Sequence, residues 1–179
     1  SDVANAVIDG VDAVVLSSET AIGNNPVLTV KTMTKIIEET ENSLDYEKIL
    51  KENHEDKVND ITSVLAYSTV DAANMLKASA IAVSSISGYT ARKVSNYRPK
   101  CTILTTTPIK ETALSLSLNW GILPIVVEKF NSTDEMVDTT KKVVKKLLSL
   151  TKDDKIVITG GFPLKKSRST NFIKIEEIV

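Results

Sequence analysis

The sequence predicts an α/β protein: an open, mainly parallel sheet of about five strands with flanking helices, preceded by a short helix–strand–helix segment. Three observations carry that prediction. Short continuous apolar runs, Ala13-Val14-Val15-Leu16 and Ala80-Ile81-Ala82-Val83, have the pattern of strands covered on both faces. From residue 60 onward such runs alternate with amphipathic helical stretches in a regular beat. The chain has 179 residues, 42% hydrophobic and 25% charged, which is globular in composition and long enough for one domain plus part of another.

Each element has a local reason. Val3, Ala4, Ala6 and Val7 recur at helical spacing, and Asp9-Gly10 supplies a stop. The 13–16 run reads as a strand ending in the polar cluster Ser17-Ser18-Glu19-Thr20. Asn25-Pro26 opens a helix, Asn as cap and Pro at the first position, with Val27, Val30, Met33 and Ile37 as its buried face. Residues 38–59 are acidic and poor in large apolar groups, which reads as a junction carrying a short helix. A helix over 60–76 then presents Ile61, Val64, Leu65, Ala72 and Met75 to a core. Strands follow at 80–83, 102–106, 122–127, 155–159 and 171–175, the third holding Pro124 and therefore placed at an edge or in an irregular position. Between them come a short helix over 90–96 and one capped by Thr107 and begun by Pro108. A third begins at the capping box Ser132-Thr133-Asp134-Glu135, with Met136, Val143, Val144, Leu147 and Leu148 inward and Lys141, Lys142, Lys145 and Lys146 on a solvated face.

Composition excludes several chemistries. A formal charge of −1 and a pI near 5.9 argue against a nucleic-acid-binding domain. One His and one Cys exclude zinc sets built from clustered Cys and His. His54 lies in a polar stretch that reads as a loop or helix end, which leaves a Ser-His-Asp triad without support. Neither a P-loop nor a G-x-G-x-x-G is present. Cys101 reads as a small hydrophobe at a strand start, and Trp120 as packing at a helix end. No apolar run approaches the ~20 residues of a membrane span, and no charged-then-apolar signal opens the chain, so a soluble protein is expected.

In open α/β sheets ligands collect beyond the carboxyl ends of the strands, and three polar loops qualify. The first holds Ser17, Glu19 and Thr20, and residue types alone allow either a catalytic edge or a polar cap satisfying loop amides. The second, Ser84-Ser85-Ile86-Ser87-Gly88-Tyr89-Thr90, joins a strand to a helix. Its hydroxyls, permissive glycine and helix-start amides suit a phosphate, or form an ordinary capped turn. The third, Lys165-Lys166-Ser167-Arg168-Ser169-Thr170, is either a phosphate-facing basic loop or a solvated one.

The residues 1–37, through Ser1-Asp2-Val3-Ala4-Asn5-Ala6-Val7, Leu16-Ser17-Ser18-Glu19-Thr20-Ala21 and Val30-Lys31-Thr32-Met33, resemble the end of the pyruvate kinase barrel. Ser87-Gly88-Tyr89-Thr90-Ala91-Arg92, Tyr97-Arg98-Pro99, Trp120-Gly121 and Gly160-Gly161-Phe162-Pro163 through Thr170-Asn171 resemble that family's carboxyl-terminal domain, in its bacterial form. The resemblance implies a remnant of a (β/α)8 barrel over residues 1–43 and a regulatory and oligomerisation domain over 44–179. It places the catalytic lysine and the Mg2+ and K+ ligands upstream of this chain, so the chain is expected to be inactive alone. Ser17, Glu19 and Thr20 would line the mouth of the active site. Ser85, Ile86, Ser87, Gly88, Tyr89 and Thr90, with residues 165–170, would hold a sugar phosphate or nucleoside monophosphate effector. Ser18 stands where the family usually has Gly, and Lys165 and Arg168 stand where its effector loop usually has Gly. The resemblance further implies a homotetrameric parent, at least a dimer for this chain, and a cytoplasmic location. The alternatives are a stand-alone anion-binding module and a purely structural oligomerisation domain.

Overall fold

A computed structural model describes residues 2–55, 60–162 and 170–179. The chain divides into two compact units, Ser1–Asp45 and Tyr46–Val179.

The first unit holds α1 (Asp2–Ile8), α2 (Ser18–Ala21) and α3 (Pro26–Asn42), with α1 packed on α3. α1 ends because Gly10 takes φ +82°, letting Val11 N–H reach the Ala6 carbonyl at 3.2 Å and Gly10 N–H the Val7 carbonyl at 3.1 Å. The predicted strand over 13–16 does not form. Val15 is 91% exposed, and among the described residues no strand lies beside the run to complete a ladder. Pro26 opens α3 as expected, but Asn25 caps it with its backbone carbonyl, which accepts from Thr29 N–H at 3.0 Å, and not with its side chain. Val27 and Val30 of the predicted buried face are exposed, because the unit offers that stretch nothing to pack on.

The second unit is the predicted sheet. Its elements are α4 (Tyr46–Glu55), α5 (Ile61–Leu76), β1 (Ala80–Ser84), α6 (Tyr89–Ser95), β2 (Thr102–Thr107), α7 (Lys110–Leu116), β3 (Ile122–Val126), α8 (Thr133–Leu147), β4 (Lys155–Gly161) and β5 (Thr170–Glu177). Strand order is β3-β2-β1-β4-β5. β1 pairs in parallel with both β2 and β4, β3 pairs in parallel with β2, and β5 returns antiparallel to β4. Pro124 sits in β3, an edge strand, where its missing N–H costs no ladder bond. His54 falls in the last turn of α4.

The two sheet faces carry separate cores. Ile81, Val83, Ile103 and Val157 meet Ala66, Val70 and Ala73 of α5, Ala91 and Val94 of α6 and Leu116 of α7. Ala80, Ala82, Leu104, Ile156 and Ile158 meet Met136, Val137 and Val144 of α8. α5 presents a different face from the predicted one: Ile61, Val64 and Met75 are exposed, while Thr62, Ala66, Thr69, Val70 and Ala73 are buried. Small side chains let the helix approach the sheet closely, and Thr69 meets its polar requirement by donating to the Leu65 carbonyl at 2.7 Å. The helix is capped by Asp60, which accepts from Ser63 N–H at 3.0 Å and from the Ser63 hydroxyl at 2.7 Å. That hydroxyl bond is the main reason the Asp60 carboxyl titrates below its ordinary value.

Thr107 is the last residue of β2 and not a helix cap; α7 begins later, at Lys110 after Ile109. The capping box holds, with Ser132 Oγ accepting from Glu135 N–H at 3.1 Å and the Glu135 carboxylate accepting from Asn131 N–H at 2.8 Å. Leu147, expected inward, is 47% exposed because α8 ends there. Two of the four lysines do more than face solvent. Lys141 pairs with Glu176 at 2.7 Å, and Lys145 donates to the Val179 carbonyl at 2.8 Å, tying the last residues to α8. No helix among the described residues is long and apolar enough to cross a membrane.

Candidate functional site

The parallel register places Ser84 of β1 beside Thr106 of β2 and Gly160 of β4, so the segments following these strands leave the sheet at one edge. The loop after β1 is strapped to β2 from both sides. Ser85 N–H donates to the Thr106 carbonyl at 3.0 Å, and the Thr107 hydroxyl donates to the Ile86 carbonyl at 3.3 Å. Gly88 then takes φ +74° to start α6. A Cβ at Gly88 would lie 3.0 Å from Leu116 Cδ2, a core atom, so both dihedral and space call for glycine. Arg92 clamps the turn from outside, Nη1 on the Ser87 carbonyl and Nη2 on the Ser115 hydroxyl, each at 3.0 Å.

Thr90 and Thr170 come together. Their hydroxyls are 2.6 Å apart and both residues are buried, which ties the first turn of α6 to the first residue of β5. Ser85 and Ser87 have hydroxyls without a partner among the described residues, and the Thr90 and Ala91 amides lie in a first helical turn with no carbonyl to meet inside the helix. Ile86 lends its backbone carbonyl to the strap, and Tyr89 carries Lys93 Nζ 5.7 Å from its ring centroid. Lys93 is also held by Asp60 at 3.4 Å and Ser63 at 2.9 Å. Lys165, Lys166, Ser167, Arg168 and Ser169 lie outside the described residues.

Ser17, Glu19 and Thr20 are in the other unit, at α2. Ser17 N–H donates to the Glu19 carboxylate at 3.1 Å, and the Thr20 hydroxyl donates to the Ser17 carbonyl at 3.3 Å. Glu19 titrates below its ordinary value because backbone N–H groups, its own first, hydrogen-bond the carboxylate. Gly23 closes this turn, where a Cβ would fall 2.1 Å from the Glu19 carbonyl oxygen. Among the described residues, no group of three or more His, Cys, Asp or Glu side chains is placed to hold a metal ion.

Two contributors escaped the sequence reading. Thr107 and Arg92 shape the loop, and the signal available was the run Thr105-Thr106-Thr107 at a strand end, where hydroxyls have loop carbonyls within reach. Trp120 packs as expected and has the Arg98 guanidinium 4.8 Å from its ring.

The family described as "Pyruvate kinase, alpha/beta domain" matches residues 63–176. A pyruvate kinase from Clostridium acetobutylicum is 39% identical over 178 residues, covering 99% of this chain and 38% of the relative. One from Geobacillus stearothermophilus is 38% identical, covering 99% of this chain and 30% of the relative. Among solved structures, a pyruvate kinase from Cryptosporidium parvum superposes with a TM-score of 0.87 at 29% identity, covering 98% of this chain and 35% of that one. The chain thus spans well under half the length of the relatives it matches.

The Thr90–Thr170 contact is testable as a pair. Thr90→Val leaves the buried Thr170 hydroxyl without a partner and is expected to cost about 1–3 kcal/mol in urea unfolding. Thr90→Val with Thr170→Val removes both hydroxyls and is expected to cost less than the sum of the single losses. Strictly additive losses would contradict a direct bond.

Proposed function

This chain belongs to the pyruvate kinase family, and we propose that it is the carboxyl-terminal part of a pyruvate kinase, serving regulation and assembly and not catalysis. Pyruvate kinases are glycolytic phosphotransferases that move a phosphoryl group from phosphoenolpyruvate to ADP. Phosphoryl transfer relies on positioned cations and metal ions around the reacting phosphate. In the proposed parent the residues that hold Mg2+ and K+ would lie before this chain, and among the described residues no group of three or more His, Cys, Asp or Glu side chains is placed to hold a metal ion. A cytoplasmic location is part of the same proposal.

The regulatory reading is that the loop after β1 and the segment between β4 and β5 form one phosphate site. Its main support is the Thr90–Thr170 contact, which joins the edges of both loops. Ser85, Ser87 and first-turn amides would donate to phosphate oxygens, and Lys165, Lys166 and Arg168 would supply charge-assisted contacts, roughly twice as strong as neutral ones. A sugar phosphate or a nucleoside monophosphate is the proposed ligand. One observation favours a purely structural domain instead: the Thr90 hydroxyl is already occupied by Thr170.

Assembly is supported by two exposed features of the second unit. β5 is an edge strand with Ile175 52% exposed, and α5 turns Ile61, Val64 and Met75 outward. The proposed parent is a homotetramer.

Calorimetry at low salt with fructose 1,6-bisphosphate, glucose 6-phosphate and AMP tests the regulatory reading. At least one should bind, and Ser87→Ala with Thr90→Ala should weaken it by about 1–3 kcal/mol. No binding, or unchanged affinity in the double variant, would favour the structural domain. The same preparation should sediment as a dimer or larger and form no pyruvate from phosphoenolpyruvate and ADP. A strict monomer would contradict assembly, and turnover above background would contradict the catalytic assignment.

A further inference from the structure

A cavity of about 600 Å³ opens at the other end of β1, between the start of α4, the last turn of α5 and the residues leading into β2. That volume lies within the usual range for small-molecule sites, about 300–1,000 Å³. It is separated from the loop at 84–88 by the length of β1, roughly 15 Å at the usual rise per residue.

Its lining is rich in uncommitted donors. Lys77 and Lys100 both line it, both are exposed, and neither has a salt-bridge partner among the described residues. The side-chain amide nitrogen of Asn74 is buried there with no hydrogen-bond partner. A buried donor left unpaired costs free energy that a ligand acceptor would recover. The carbonyls at the end of α5 do not compete for these donors. Ala73 O accepts from Ala78 N–H at 2.8 Å and Asn74 O from Lys77 N–H at 3.1 Å. Lys77 itself holds φ +50°, a left-handed conformation unusual for a lysine at a helix end. Glu47 is the one carboxylate on the lining. It disfavours a ligand that is anionic all round and offers an acceptor to hydroxyl groups.

We propose that this cavity binds a small hydroxylated anion, its charged head taken by Lys77, Lys100 and the Asn74 amide and its hydroxyls by Glu47. The site is distinct from the effector loop and does not depend on that reading.

Calorimetry on the full chain with glycerate, glycerol 3-phosphate and glycerol tests it, since the three share a body and differ in the head group. One or both anions should bind and glycerol should not, and the preferred anion tells a carboxylate site from a phosphate site. Lys77→Gly with Lys100→Ala should weaken binding about tenfold or more. Glycine suits the backbone at position 77, so this variant should keep its fold. For glycerate, which carries no phosphate for the loop after β1, Ser87→Ala should leave the affinity unchanged. Cys101, the only cysteine of the chain, lines the same cavity and reports occupancy: saturating anion should slow its alkylation in the wild type and not in the double lysine variant. No binding of either anion up to about 10 mM, equal affinity in the lysine variant, or loss of glycerate binding on Ser87→Ala would each overturn the proposal.

Discussion

Burial of β1 on both faces and both edges is the constraint on which the second unit depends. Ala80, Ile81, Ala82 and Val83 are all 0% exposed, and the strand is hydrogen-bonded in parallel to β2 on one side and β4 on the other. A parallel strand cannot be joined to its neighbour by a tight turn, so each connection must cross a face and cover it. That commits α6 and α7 to the face of Ile81 and Val83, where α5 also packs, and α8 to the face of Ala80 and Ala82. The same geometry sends the segments after β1 and β4 out of one edge, and gathers the start of α4, the last turn of α5 and the entry to β2 at the other. Both proposed ligand sites are consequences of where β1 begins and ends.

The strands of the second unit were legible because continuous apolar runs of this kind have few other uses, and Pro124 narrowed β3 to an edge or irregular position, of which the strand order shows the edge. The antiparallel return of β5 was not, since alternation in 171–175 says nothing about direction. The face of α5 was misread for a physical reason. Hydrophobicity ranks Ile61, Val64 and Met75 above Thr62, Ala66 and Thr69, but the sheet accepts the row that lets the helix come close, and threonines in a helix can satisfy themselves on the preceding turn. Thr107 illustrates the complementary error. A Thr-Pro pair reads as a helix start, yet the strand ladder claims Thr107 through its pairing with Val126, and the side chain serves the neighbouring loop.

The first unit shows what local sequence cannot do without neighbours. Val14 and Val15 have every local mark of a buried strand, but strand structure is a relation between segments, and no described segment lies beside them. α3 forms regardless, because a helix satisfies its backbone internally, though Val27, Leu28 and Val30 stay exposed. Of the candidate sites, the Ser87-Gly88 turn was readable from residue types, whereas the Thr90–Thr170 bond joins residues 80 positions apart and needed the register of three strands to appear. The amino-edge cavity left no motif at all. Its residues belong to three separate segments that only the fold brings together.

Native-state hydrogen exchange on the whole chain tests the role of β1 most directly. If β1 is the inner constraint, the amides of Ile81, Ala82 and Val83 should be the slowest to exchange and should open only with unfolding of the whole second unit. Amides of the edge strand β3 should open earlier. Exchange of β1 amides as fast as those of β3, while β2 and β4 remained protected, would contradict the account.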